Sequence, residues 1–124
     1  MPSPDDRRYL DTHEWHKAEG DLVVIGLSKF AVDELADVTY LEFTKESGPI
    51  AAGDTFGEIE SVKATSDLYA GIPGDIVETN PEVIDNPALI NEDPYNAWMI
   101  KLKPNNPDDL QNLLSATDYD KNAQ

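Results

Sequence analysis

Short apolar runs, each cut off by glycine or proline, set the pattern of this chain. Residues 55–62 (TFGEIESV) and 75–79 (DIVET) carry β-branched and aromatic side chains between such breaks, a composition that favours strands. Between them lie Lys63, the small residues Ala64, Thr65 and Ser66, and the segment Asp67-Leu68-Tyr69-Ala70. Small residues leave room for a turn, and a type I turn tolerates most sequences. The pattern therefore predicts a hairpin with Lys63 projecting from its tip. Tyr9-Leu10 begins a short strand, and residues 22–26, 38–43 and 97–102 read as further strands, the last with Trp98, Ile100 and Leu102 on one face. Helical spacing covers residues 29–36, with Ser28 as N-cap and Leu27, Phe30, Ala31 and Leu35 as the apolar face. A second helix is predicted after Asn106, with Pro107 in its first turn, acids near its positive end, and Leu110, Leu113 and Leu114 as its stripe. Residues 45–49 read as a turn and 81–94 as loop. Gly-Asp pairs open three strand-like runs, at residues 20–21, 53–54 and 74–75. The last two flank Lys63, which suits a small sandwich of two similar half-sheets.

At 124 residues the chain has room for one core. Residues 9–117 are expected to form it, with a loose polar arm over 1–8 and a fraying tail over 118–124. Hydrophobic residues make up 40% of the sequence, enough for a globular fold. No cysteine is present, so disulfides and thiolate metal sites are excluded, and the two histidines, His13 and His16, are too few for a structural zinc site. Net charge is −16, from 25 acids against 9 bases. Phosphate would be repelled, so nucleic acid is a poor partner, as are anionic membranes. Basic protein surfaces would be attracted. The first residues carry acids and no apolar core, unlike a secretory signal, and the expected setting is the cytoplasm, with the protein a monomer.

The wording around Lys63 is more specific than its periodicity. Glu60-Ser61-Val62-Lys63-Ala64-Thr65-Ser66-Asp67 resembles the lipoylation motif of the glycine cleavage system H-protein family. Leu68-Tyr69-Ala70, Gly74-Asp75 and Val77-Glu78-Thr79-Asn80 continue the match, as do Thr12-His13-Glu14-Trp15 and the segment Leu89-Ile90-Asn91 to Pro94-Tyr95. Two departures stand out: Ala36 and Ala97 occupy positions where the family usually has glycine. The resemblance implies a lipoyl-domain-like β-sandwich, a barrel-sandwich hybrid, with a short internal helix and a C-terminal helix. It implies covalent lipoate on Lys63, with Glu60, Ser61, Val62, Ala64 and Ser66 recognised around the lysine. It further implies a cleft for the loaded arm, bordered by Thr12, Glu14 and Asp67, in which carboxylates bind an aminomethyl ammonium group by charge-assisted hydrogen bonds. Excluding water there would protect a labile adduct.

By the same resemblance the chain has no catalytic centre of its own. It would carry the aminomethyl group of glycine from a pyridoxal-phosphate-dependent decarboxylating glycine dehydrogenase to a tetrahydrofolate-dependent aminomethyltransferase. An FAD-containing dihydrolipoyl dehydrogenase would reoxidise it. A lipoate ligase or a lipoyl/octanoyl transferase would attach the cofactor. Three other readings exist. An H-like protein would relay lipoate to other enzymes, and a plain acidic module would bind partners through charge. A small acid-dependent hydrolase would use Glu58 and Glu60, paired on one strand face, as acid and base. Biotinyl domains normally flank their lysine with methionines, whereas Val62 and Ala64 stand here.

Overall fold

Two antiparallel sheets of unequal size carry the fold of this computed structural model, which describes residues 3–123. The chain begins with β1 (Arg8–Tyr9), β2 (Glu14–Glu19) and β3 (Leu22–Leu27), paired in sequence order. Helix α1 (Lys29–Leu35) follows, then β4 (Val38–Phe43) and β5 (Gly48–Ile50). The lysine hairpin is β6 (Thr55–Ser61) and β7 (Thr65–Tyr69). After β8 (Gly74–Thr79) come two single-turn helices, α2 (Pro81–Asp85) and α3 (Ala88–Glu92), then β9 (Ile100–Pro104), a 3-10 turn over Pro107–Asn112 and α4 (Ala116–Ala123). The large sheet runs β1-β2-β3-β9-β8-β5 and the small one β4-β6-β7. The two half-sheets are thus six and three strands, not equal as the repeated Gly-Asp pairs implied.

The unbroken apolar run of β3 has a structural cause. Val23, Ile25 and Leu27 belong to the main core, while Val24 joins a second cluster with Tyr9, Trp15, Ala116 and Tyr119. A strand buried on both faces needs no polar alternation. The second cluster needs Gly26 opposite Trp15: a Cβ on Gly26 would lie 2.4 Å from the indole. The indole Nε1 donates to the Pro94 carbonyl at 3.0 Å, and the Arg7 guanidinium covers the ring at 4.7 Å.

Helix α1 starts as expected, with Ser28 Oγ accepting from the Ala31 amide. Its buried residues are Ala31, Val32 and Leu35, whereas Phe30 is 37% exposed and packs against His13. It ends at Ala36, which adopts φ 62° and ψ −137°. Glycine would take that conformation without strain, and alanine does not. Asn91 holds the corner on both sides, donating to the Ala36 carbonyl at 2.6 Å and accepting from the Val38 amide at 2.9 Å.

Four local expectations are corrected. Gly48 and Pro49, read as the end of a turn over 45–49, instead open edge strand β5 beside β8, where Pro49 is tolerated because an edge leaves its missing donor unneeded. Residues 81–94 are not plain loop: Asn80 caps Pro81 and the two helices bury Val83 and Ile90. Trp98 precedes strand β9, half-buried, with its carbonyl bonded to Asn80 Nδ2. The segment after Asn106 is a 3-10 turn, and the C-terminal α-helix lies later, over the residues expected to fray. Tyr119 anchors it, 1% exposed and stacked on Tyr9 at 4.6 Å. The expected loose arm is also engaged: the Ser3 amide donates to Asp120 at 3.0 Å, and Arg7 donates to the Tyr95 carbonyl at 3.1 Å. Met1, Pro2 and Gln124, included in that arm and tail, lie outside the described residues.

Candidate functional site

The register of the hairpin fixes where its tip falls. Glu58 faces Asp67, Ile59 faces Ser66 and Glu60 faces Thr65, leaving Val62, Lys63 and Ala64 beyond the last pair. Ile59 and Leu68 are buried and anchor the two strands in the core. Ser61 organises the turn. Its Oγ accepts from the amides of Lys63 and Ala64, each at 3.1 Å, and its amide donates to the Ala64 carbonyl at 2.8 Å. A serine that satisfies turn amides in this way holds the backbone without any demand on the neighbouring side chains. The Val62 amide donates to the Asp37 carbonyl at 3.1 Å, so the tip is also fastened to the strained corner after α1. Lys63 itself is exposed and makes no ion pair among the described residues. The result is an exposed side chain on a fixed root.

A groove of about 260 Å³ opens beside Ala64. Leu27, Leu35, Ile59 and Leu68 form apolar walls, and Ala31 sits with them. Thr12, His13, Glu34, Ser66 and Asp67 supply its polar groups. The expected cleft residues Thr12 and Asp67 both line this groove, together with Ala64 and Ser66 from the motif. Glu14 does not. Its carboxylate is fully buried, accepting from the Thr12 hydroxyl through Oε1 and from the Tyr69 amide at 2.8 Å through Oε2. Burial pushes its pKa up to about 7, although both hydrogen bonds oppose that shift. Glu14 therefore reaches the groove only through Thr12. Glu60, Ser61 and Val62 sit on the hairpin outside the groove, Val62 with 66% exposure. Glu58 and Glu60 do not line this groove.

The two histidines differ. His16 is fully buried, and its Nε2 accepts from the Gly71 amide at 2.9 Å while Nδ1 faces the Glu14 carbonyl at 3.3 Å. An amide can only donate, so Nδ1 carries the proton. Burial lowers the His16 pKa to about 4, and the ring is a neutral brace. His13 lies on the groove, with Nδ1 2.6 Å from the Tyr119 hydroxyl. Sequence reading missed Tyr119 because it sits in a polar segment where no apolar stripe advertises a helix. The signals available were Ser115, which accepts from the Asp118 amide through Oγ, and the spacing of Ala116 and Tyr119. Among the described residues, no cluster of three or more His, Cys, Asp and Glu is arranged to hold a metal ion, and no helix is long and apolar enough to cross a membrane.

The residues present fit a lipoyl group on Lys63. An amide on its Nζ would remove the charge and add an apolar chain, and an apolar groove with polar groups at its rim begins at the neighbouring residue.

A family model described as glycine cleavage H-protein matches residues 7–124. The glycine cleavage system H protein of a Cyanothece species is 45% identical over 117 residues, spanning 94% of this chain and 91% of that protein. That of Carboxydothermus hydrogenoformans is 48% identical over 119 residues, spanning 95% and 92%. The crystal structure of a glycine cleavage system H protein from Mycobacterium marinum superimposes with a TM-score of 0.85 at 37% identity, covering 95% of this chain and 96% of that one. The chain belongs to the glycine cleavage H-protein family.

Proposed function

We propose that this chain is the non-catalytic lipoyl carrier of the glycine cleavage system, with lipoate bound through an amide to Lys63. The observation that carries the proposal is the pairing of an exposed lysine, free of ion pairs among the described residues, with a groove that begins one residue away. When bound there, the lipoyl group supplies a redox-active dithiolane at the end of a long chain. The hairpin holds the root of that chain, and tethering raises the concentration of its tip at each partner site. Leu27, Leu35, Ile59 and Leu68 exclude water from whatever enters the groove. The Asp67 carboxylate and the Thr12 hydroxyl offer hydrogen bonds to an ammonium group at the tip, and Glu14 orients Thr12.

The partners under this reading are the decarboxylating glycine dehydrogenase, the aminomethyltransferase and dihydrolipoyl dehydrogenase, after modification by a lipoate ligase or a lipoyl/octanoyl transferase in the cytoplasm. The acidic surface supports attraction to basic docking faces on them. Glu42 faces Glu58, and Glu58 faces Asp67, a row of acids across the small sheet.

Intact-mass analysis after incubation with lipoate ligase, ATP and lipoate tests the assignment. One lipoyl mass is expected on the wild type and none on Lys63→Arg. An unmodified wild type, or a modified Lys63→Arg, overturns it.

A further inference from the structure

His13 occupies a position that its own backbone makes costly. It has φ 88°, outside the range that L side chains adopt freely. Its side chain is fixed from several directions. The ring packs against Phe30 at 5.0 Å with a 39° tilt and meets the Tyr119 ring edge-on at 5.6 Å. Nδ1 lies 2.6 Å from the Tyr119 hydroxyl, which in turn lies 2.6 Å from Ser28 Oγ. Ser28 is fully buried, and its Oγ also accepts from the Ala31 amide.

The direction of this chain of hydrogen bonds follows from its closed end. The Ala31 amide only donates, so Ser28 Oγ accepts there. Were Tyr119 also to donate to Ser28, the Ser28 proton would be buried with no acceptor among its contacts, a costly arrangement. Ser28 therefore donates to Tyr119, and Tyr119 donates to His13 Nδ1. His13 then carries its proton on Nε2, the ring nitrogen without a protein partner among the described residues. The charged groups acting on His13, Asp11 and Glu34, both favour imidazolium, but burial outweighs them and lowers its pKa below the ordinary imidazole value.

We propose that His13 is the groove's fixed, uncharged hydrogen-bond donor, and that Tyr119 and Ser28 are positioning residues that hold its Nε2–H tautomer. The donor would serve uncharged acceptor atoms of an apolar chain in the groove, while Asp67 and Glu34 serve a cationic end. A neutral donor adds a contact without repelling that cation. This inference rests on the carrier reading for the identity of the chain, but the tautomer itself does not.

Long-range proton–nitrogen spectra of 15N-histidine-labelled, unmodified protein test the tautomer. His13 is expected as Nε2–H and His16, in the same spectrum, as the opposite Nδ1–H form. Tyr119→Phe, which keeps the ring stack and removes the hydroxyl, should leave His13 as a mixture of tautomers and His16 unchanged. On lipoylation, verified by mass, the His13 Nε2 resonance should shift in the wild type. An Nδ1–H form of His13 in the wild type overturns the proposal even if Tyr119→Phe fails to fold. So does a His13 resonance that lipoylation leaves in place. Failure of lipoylation itself would instead count against the carrier reading and leave the tautomer result standing.

Discussion

The Tyr69 amide donates to the buried carboxylate of Glu14 at 2.8 Å, so a single side chain of the large sheet ties down the last strand residue of the small one. Two residues further along β2, His16 makes the matching tie to Gly71. Both groups are neutral when the protein is most comfortable, but they titrate with opposite consequences.

Glu14 has a folded pKa of about 7 against the ordinary glutamate value of 4.5. The native state holds its proton longer than the unfolded chain does. Its contribution to stability is complete below pH 4.5 and is lost as pH rises through 7. His16 runs the other way, with a folded pKa of about 4 against 6.5. Its contribution is complete above pH 6.5 and is lost as pH falls through 4. Each effect is on the order of 3 kcal/mol. Urea unfolding at a series of pH values checks both. Glu14→Gln should flatten the loss of stability between pH 5 and 7 relative to the wild type. His16→Gln should flatten the loss between pH 6.5 and 4. Parallel curves for wild type and variants would contradict the assignments.

Ala36 sits where its backbone strongly favours glycine. Ala36→Gly is expected to stabilise the fold by about 1 kcal/mol, the relief of strain exceeding the added freedom of the unfolded chain. A rise in urea midpoint at constant m-value would show it. Because the Val62 amide bonds to the next residue's carbonyl, the same variant should leave modification of Lys63 unchanged if the corner keeps its shape.

Gly26 should resist substitution for a different reason. An added methyl would lie 2.4 Å from a Trp15 side-chain carbon, and the indole is held by Pro94 and Arg7. Gly26→Ala is expected to cost about 1–3 kcal/mol by overpacking. A change in the near-ultraviolet tryptophan signal should accompany the lower melting temperature.

The sequence was most informative where one local rule acted alone. Ser28 as a cap, the strands about Lys63, and a turn of small residues were all legible because each depends on neighbours in the chain. Thr12 and Asp67 came from resemblance and do meet at the groove. The burial of Glu14 was not legible, since the Tyr69 amide that holds it is 55 positions away. Phe30 followed helical spacing but is partly exposed and packs against His13 rather than in the core, a contact 17 positions away in sequence. The final helix was hidden by its polarity, for among its described side chains Ala116 and Tyr119 are the buried apolar ones.

The knot of Ser3 with Asp120, and of Tyr9 with Tyr119, brings the first and last described turns of the polypeptide onto one spot. An affinity handle or a trimmed end at either terminus would consequently tug on Tyr119, and through its hydroxyl on His13 at the groove. Choosing where to attach a label is, for this molecule, already an experiment on that cavity.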